Sequence, residues 1–531
     1  MHTRGATMDG PEGKQIESAE EMIGRFLGEL NSQIPHWKQS LDQSPSQLEQ
    51  IERAVHQSFA RGADMLVAGL LAITMVSDQL QRAEQQTRKN YSRPLAKGRE
   101  RTIAVRLLGG MFLWVTTLYC PPKKKRFGRD DKPRVGIDLT LAQFGFGKAV
   151  SPALQSQVAR KVALCPSISF AHQELLRDGV QLDAKTVKRV TYQCGEGLLA
   201  LRTHRIEQMR QGKLPVGDEL AGKRVSVQID GGRMKIRGPM RKKLKTSEKV
   251  DDDGLLIEDS PGRSRKVPKR TYQTDWREPK LVTIFIHDEY GKMEKKTKAT
   301  IDGTLRGPDA IAEVIAMHLH RLGAAKALSV TFVADGAPWI WDRVSWIIKM
   351  AGLQNVETVE VLDCCHAVHH ISLALAALGL SKEERNPLYR QHRTLLRNGQ
   401  WRRVVEELSS LQREDDPIDA LNTETSYLRH HGEAGRLSYV SFRSRGLPCG
   451  SGAIESGIRR VINLRLKSNA MFWTAENAES MLQVRSQVIP DQWDKAMVEL
   501  AEFRRTVAYD GYQWTPVETS CKSENSHSTA T

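Results

Sequence analysis

The sequence predicts an α/β domain with an α-helical insertion, preceded by a mostly α-helical N-terminal region. Three observations lead there. From Arg224 onward, strand-type stretches come as strand, strand, strand, helix, strand, helix, strand, the order of a mixed sheet with antiparallel strands first and parallel strands later. A long helical stretch, 367–445, then separates the last strand from a final Gly-rich motif. Ahead of Arg224, apolar residues recur mostly at three- and four-residue steps.

Composition narrows the function. Lys and Arg number 79 against 63 Asp and Glu, a net charge of +16 over 531 residues. Such a surplus favours a polyanionic partner, nucleic acid first and an anionic membrane second. The plain alternative is a basic protein with no such partner. Seven Cys, an odd count, make no disulfide framework and fit a reducing compartment. The first thirty residues hold no apolar signal core. The longest apolar run, MLVAGLLAITMV at 65–76, is too short to span a bilayer and reads as a buried helix. A cytoplasmic protein without a membrane partner is the expectation.

Residues 1–118 are expected to be helical, on the periodicity of LEQIERAVHQSFARGADMLVAGLLAI. YCPPKKKRFGRDDKP opens a basic linker, 119–150, whose lone Cys120 has no nearby second Cys for a zinc ribbon. Residues 151–222 turn helical again. Within them SFAHQELLRDGVQLDAKTVKRV (169–190) has the form of a helix-turn-helix, with Asp178-Gly179 as the turn and Asp183 capping a second helix. Lys185, Lys188 and Arg189 on that helix are the candidate DNA contacts, although an ordinary helical hairpin meets the same pattern. The charged stretch 242–270 reads as an exposed insertion, and the polar tail 511–531 as disordered. Residues 223–366 and 446–510 make up the α/β domain.

The chemistry is expected at strand ends. VSVQIDGGR (225–233) alternates Val225, Val227 and Ile229 with Ser226 and Gln228, then delivers Asp230 to its tip. ALSVTFVADGAPWI ends a later strand at Asp335. Neighbouring tips would set the two carboxylates side by side, where ligands of open α/β sheets gather. Like charges in contact call for a cation between them, and hard oxygen ligands suit Mg²⁺. The glycines after each Asp are read as room for a bulky polymer. Glu455 is the candidate third acid. It opens a helix, to about Lys467, whose apolar stripe is Ile454, Ile458, Val461 and Ile462 and whose other side carries Arg459, Arg460 and Lys467. A surface Glu paired with Arg459 is the competing reading. Cys364, Cys365, His366, His369 and His370 raise a zinc reading, weakened by the poor chelate geometry of adjacent cysteines.

Taken together, QIDGGR, FVADGAPWIW and LPCGSGAIESGIRRVINLRLK resemble the three acidic motifs of DDE transposases from bacterial insertion sequences. The ISKra type is most similar, with a more distant resemblance to Mutator-like transposases. The likeness spans roughly 150–505 and includes TDWREPKL, DCCHAVHH and MFWTAENAESMLQVR. It implies an RNase H-like catalytic domain that binds two Mg²⁺ ions, or Mn²⁺, through Asp230, Asp335 and Glu455. The helical insertion would fill the gap between the last two acids. Asp363 and His366 match the D-x-x-H signature of Mutator-like enzymes. The implied activity is cleavage at the element's ends and attack of the freed 3′-OH on target DNA. The implied partners are terminal inverted repeats, target DNA and further copies of the chain on that DNA, in a bacterial, nucleoid-associated setting. An RNase H-like nuclease or resolvase without strand transfer is the alternative enzyme, and a non-catalytic DNA-binding repressor the alternative of another class.

Overall fold

A computed structural model describes residues 4–123, 134–239, 272–411, 418–467 and 471–510. The 242–270 insertion and the 511–531 tail lie outside them. The chain is α/β, as expected. Its central sheet has five strands: β1 (Arg224–Gly231), β2 (Lys280–Ile286), β3 (Thr300–Thr304), β4 (Ser329–Ala334) and β5 (Glu357–Leu362). Their order is β5-β4-β1-β2-β3. β1, β4 and β5 pair in parallel, and β2 runs antiparallel to both β1 and β3. The strand and helix order read from the sequence therefore holds.

Both faces of the sheet are covered. Val225, Val227 and Ile229 point into a core shared with the helices Pro308–Arg321 and Pro338–Ala351 and with the insertion. The opposite face meets the C-terminal helices, through Leu281, Ile454, Ile458, Met481 and Leu482. Ser226 and Gln228, the polar partners in the alternation, are buried as well. The insertion begins at once after β5, as the helices Cys364–Ala377, Lys382–Arg397, Trp401–Ser410, Ile418–Glu433 and Tyr439–Ser444.

The N-terminal region corrects three expectations. It is helical only to Asn90, as Ala19–Gln43, Leu48–Met75 and Asp78–Asn90. Arg99–Arg106 and Phe112–Cys120 then form an antiparallel hairpin, because TIAVR and FLWVTTLY alternate β-branched and aromatic residues around a Gly109-Gly110 turn. Gly110 takes φ +93° there. Asp64 of the second helix pins this turn by accepting the N–H groups of Gly109 and Met111, each at 2.9 Å. The described part of the expected linker is also packed structure: Ile137, Leu139 and Leu141 are buried. The third correction concerns the 65–76 run. Met65, Ala68, Ala72 and Met75 are buried, but Leu66, Val67, Leu70, Ile73 and Val76 are exposed.

The helix Ala184–Arg210 ties the N-terminal half to the sheet. Its Arg202 is buried and donates to Asp302 of β3 (2.9 Å), the Gly303 carbonyl (2.7 Å), Gln483 (2.8 Å) and Glu479 (2.8 Å). Glu479 also accepts from Thr304 and the Leu305 N–H, both at 2.7 Å, and Asp302 bonds His318 at 2.8 Å. Burying these charges is tolerable because every carboxylate oxygen has a donor. Arg202→Met would leave Glu479 and Asp302 short of their cation, at a cost of about 3–5 kcal/mol. Chemical denaturation checks this, and a loss below about 1 kcal/mol would show that the network is not what joins these elements.

Candidate active site

Register builds the site. Ala334 of β4 lies opposite Ile229 of β1 and also opposite Leu362 of β5. The residue that follows each of the three is an aspartate: Asp230, still within β1, and Asp335 and Asp363, just past the ends of β4 and β5. Parallel neighbours in register share a face, so three carboxylates arrive in one row at the carboxyl end of the sheet.

Their environments then diverge. The Asp230 carboxyl is pushed up to about 6, first by burial and then by the charge of Asp335, with Glu278 adding to it. The Gly231 N–H, 2.6 Å away, and His366 act in the opposite direction. Asp335 accepts the Ala337 N–H at 3.1 Å, and its carbonyl accepts the Trp341 indole at 2.8 Å, which fixes the turn into the next helix. Asp363 is buried and already engaged. It caps the helix Cys364–Ala377 by accepting the His366 N–H at 2.8 Å, and it accepts the Ser451 N–H at 2.5 Å. The Asp363–His366 spacing is thus that of an N-cap and its N3 residue.

Glu455 sits on the helix Gly452–Gly457, exposed, with the Ser451 hydroxyl donating to it at 2.9 Å. Gln228 of β1 holds this segment down. Its amide donates to the Gly450 carbonyl and its oxygen accepts the Ile454 N–H, both at 3.0 Å. The expected α-helix to Lys467 ends early: Ile458–Asn463 is π-helical, a wider turn that rotates the residues after it relative to Glu455. Buried Arg485 steadies the wide turn by donating to the Val461 carbonyl (2.7 Å) and the Arg460 carbonyl. Arg459, Arg460 and Lys467 remain exposed, as the sequence led one to expect.

The structure therefore brings Asp230 and Asp335 together and links Glu455 to the row through Ser451 and Asp363. Among the described residues, no three His, Cys, Asp or Glu side chains form a set ready to hold a metal ion. Glu455 meets this row through the Ser451 bridge, while Asp230 and Asp335 stand on neighbouring strand ends. The pair itself suits a hard divalent cation: two carboxyls share one tip, and one holds its proton to about pH 6 because of burial and the other's charge. The Cys364–His370 cluster does not gather either. His366 lies near Asp230, while His370 stacks on Tyr427 of the insertion (3.5 Å between ring centroids) and bonds Glu424.

The glycines answer to the protein's own packing rather than to a polymer. A side chain at Gly231 would meet Glu278, one at Gly232 would meet Ile462, and one at Gly336 would run into the Tyr427 ring. Sequence reasoning also missed the ribbon beside the site. Met234–Pro239 pairs with Tyr272–Arg277, and the ribbon is anchored by the Arg237 N–H on the Trp473 carbonyl at 2.8 Å. Arg233 and Lys235 lie over the exposed Trp276 ring at 4.9 and 5.1 Å, and Arg237 over Tyr272 at 5.8 Å. The basic and aromatic residues of RMKIR and YQTDWR were the available signal. A cleft of about 270 Å³ opens beside it, lined by Arg237, Phe472, Trp473, Tyr192 and Lys188. It brings the ribbon next to the second helix of the 169–190 stretch, whose Lys185, Lys188 and Arg189 are exposed at the start of a helix capped by Asp183 (2.9 Å to the Thr186 N–H). That helix continues to Arg210, and much of it lies inside the core, so Lys185, Lys188 and Arg189 sit on its exposed first turns.

No family model matches the chain, and neither a curated protein nor a solved structure matches it.

The state of Asp230 gives a pH test. Its folded value near 6 lies above the ordinary 3.8, so folding disfavours the ionised form. That penalty is absent below about pH 4, grows as pH rises, and is complete above about 6. Asp230→Asn removes it. After discounting for solvent screening, the variant should gain on the order of 1–2 kcal/mol at pH 8 and nothing at pH 4. Denaturation at the two pH values checks this, and equal gains at both would contradict the assignment.

Proposed function

We propose that this chain is a metal-dependent DNA-cutting and strand-transferring enzyme, a transposase of the DDE class that cleaves at the ends of an insertion sequence and joins the freed 3′-OH to target DNA. The observation that carries this reading is the Asp230–Asp335 pair, set side by side at the carboxyl ends of parallel strands. The mixed five-stranded sheet, covered on both faces and followed by a helical insertion, is compatible with the RNase H-like core implied by the sequence resemblance.

In this reading Asp230 and Asp335 would hold Mg²⁺ or Mn²⁺, with Glu455 as the third ligand. Two such ions, when bound, activate the attacking oxygen and stabilise the leaving oxygen of a phosphodiester. The chain's own residues do the rest. Asp335 is aimed by the Ala337 N–H, and Glu455 by Ser451 and the Gln228 clamp. Arg459, Arg460 and Lys467 offer cations to the DNA backbone beside Glu455. The ribbon offers Arg233, Lys235 and Trp276, a combination of charge and stacking surface that suits strands opened near the cut. Lys185, Lys188 and Arg189 contact duplex at a distance from the chemistry.

Asp230→Asn and Asp335→Asn should each lower cleavage of end-bearing DNA by at least about 100-fold while binding persists, since phosphate affinity rests on Lys and Arg. Wild-type cutting by either variant in Mg²⁺ would remove that Asp from the site. Cutting by the wild-type protein without joining to target DNA would favour the nuclease reading.

Arg233→Ala should weaken binding to all sequences and reduce the slope of log affinity against log salt by about one. An unchanged slope in a salt-series binding assay would take the ribbon off the DNA path.

A further inference from the structure

The N-terminal helical hairpin has a side that nothing in the described structure covers. On Ala19–Gln43, Ile23, Leu27, Leu30 and Ile34 step by four, three and four residues. On Leu48–Met75, Phe59, Ala63, Leu66, Leu70 and Ile73 step by four, three, four and three. Of these, Ile23, Leu27, Ile34, Phe59, Leu66, Leu70 and Ile73 are all between 38% and 53% exposed. Single exposed leucines need no explanation, but two apolar rows at heptad spacing do.

The rows lie on one side. The helices run antiparallel, with Ala19 against Gly69, Phe26 against Gly62, and Gln33 bonded to Ser58. At 100° per residue, each row sits about 80° round its helix from this line of contact, in the same rotational sense. For antiparallel helices that brings both rows to the same face. It is the face opposite Met65, Ala68, Ala72 and Met75, which pack with Leu113 and Val115 of the hairpin strands.

We infer that a second copy of this chain docks on this face, helical hairpin against helical hairpin. The inference stands apart from the catalytic reading. Two helices of about 40 Å lying about 10 Å apart present roughly 800 Å², the area one partner contributes to a standard stable interface. Heptad rows are matched by helices bearing the same rows, and a two-fold pairing closes without leaving either face open. Charge argues against the other occupants. Residues 19–75 hold seven acidic and four basic residues in a chain of net charge +16. DNA and anionic lipid would both meet an acidic segment of a basic protein. The helix is long and apolar enough to cross a membrane by length and composition, yet Asp64 at its middle is buried against the Gly109 turn, which occupies its other side.

The experiment is sedimentation of the full-length, DNA-free chain from about 1 to 50 µM. The expected mass is twice 59.7 kDa. Leu66→Glu/Leu70→Glu, and separately Ile23→Glu/Leu27→Glu, should raise the dissociation constant at least about 100-fold. Val498→Glu, at a 71% exposed position on another helix, should leave it unchanged. Leu70→Ser replaces any pair whose thermal melt shows misfolding. A monomeric wild type across the range would overturn the inference, as would folded variants of both helices that remain dimers. Flotation of a monomeric wild type with phosphatidylcholine–phosphatidylglycerol vesicles would assign the face to membrane instead.

Discussion

The in-register pairing of β1, β4 and β5 is the constraint on which the rest depends. Side chains alternate along a strand, so a slip of one residue would send Asp230 or Asp335 to the opposite face. With Ala334 held level with Ile229 and Leu362, the following row has to be aspartate three times over. The apolar faces of the same strands lock this register, because Val225, Val227 and Ile229 must reach the core shared with Val330 and Phe332. The stability of the fold and the crowding of charge at its edge have one cause.

Three acids in a row would be hard to keep ionised in a half-buried place. The structure handles each differently. Asp363 spends both oxygens on N–H groups, from His366 and Ser451, and so becomes a joint between the insertion and the Glu455 segment. Asp335 is steadied by its own turn. Asp230 receives one N–H, from Gly231, and bears the repulsion as a raised proton affinity. Strongly perturbed carboxyls of this kind, in a row of like charges, mark places where a cation or a proton is expected to come and go. The insertion adds an enclosing wall, with Tyr427 laid over Gly336.

Much of this was legible in the sequence. The strand tips at Asp230 and Asp335, the cap at Asp183 and the helical insertion all follow from local periodicity and local hydrogen bonding, which a linear reading captures. What was missed depends on distant neighbours. Gln228 looks like the polar half of an alternating strand, and only the arrival of Gly450 and Ile454 from the far end of the chain makes it a buried clamp. The glycines looked like space for a ligand, yet Glu278, Ile462 and Tyr427 take that space. The π-turn at Ile458–Asn463 has no local sequence signature, since Arg485 holds it from another helix. The 65–76 run is equally apolar all round, so its pattern could not tell which side would be covered.

Asp230 and Asp335 are proposed to hold a divalent cation together, with Asp230 giving up its proton when they do. Calorimetric titration of the full-length chain with Mn²⁺ at pH 6, repeated in buffers of different ionisation enthalpy, reads that proton directly. With the Asp230 carboxyl near 6, binding should release roughly half a proton per site at pH 6 and almost none at pH 8. Asp335→Asn should abolish the high-affinity step. Mn²⁺ binding that releases no proton at pH 6, or that survives Asp335→Asn unchanged, would contradict the account.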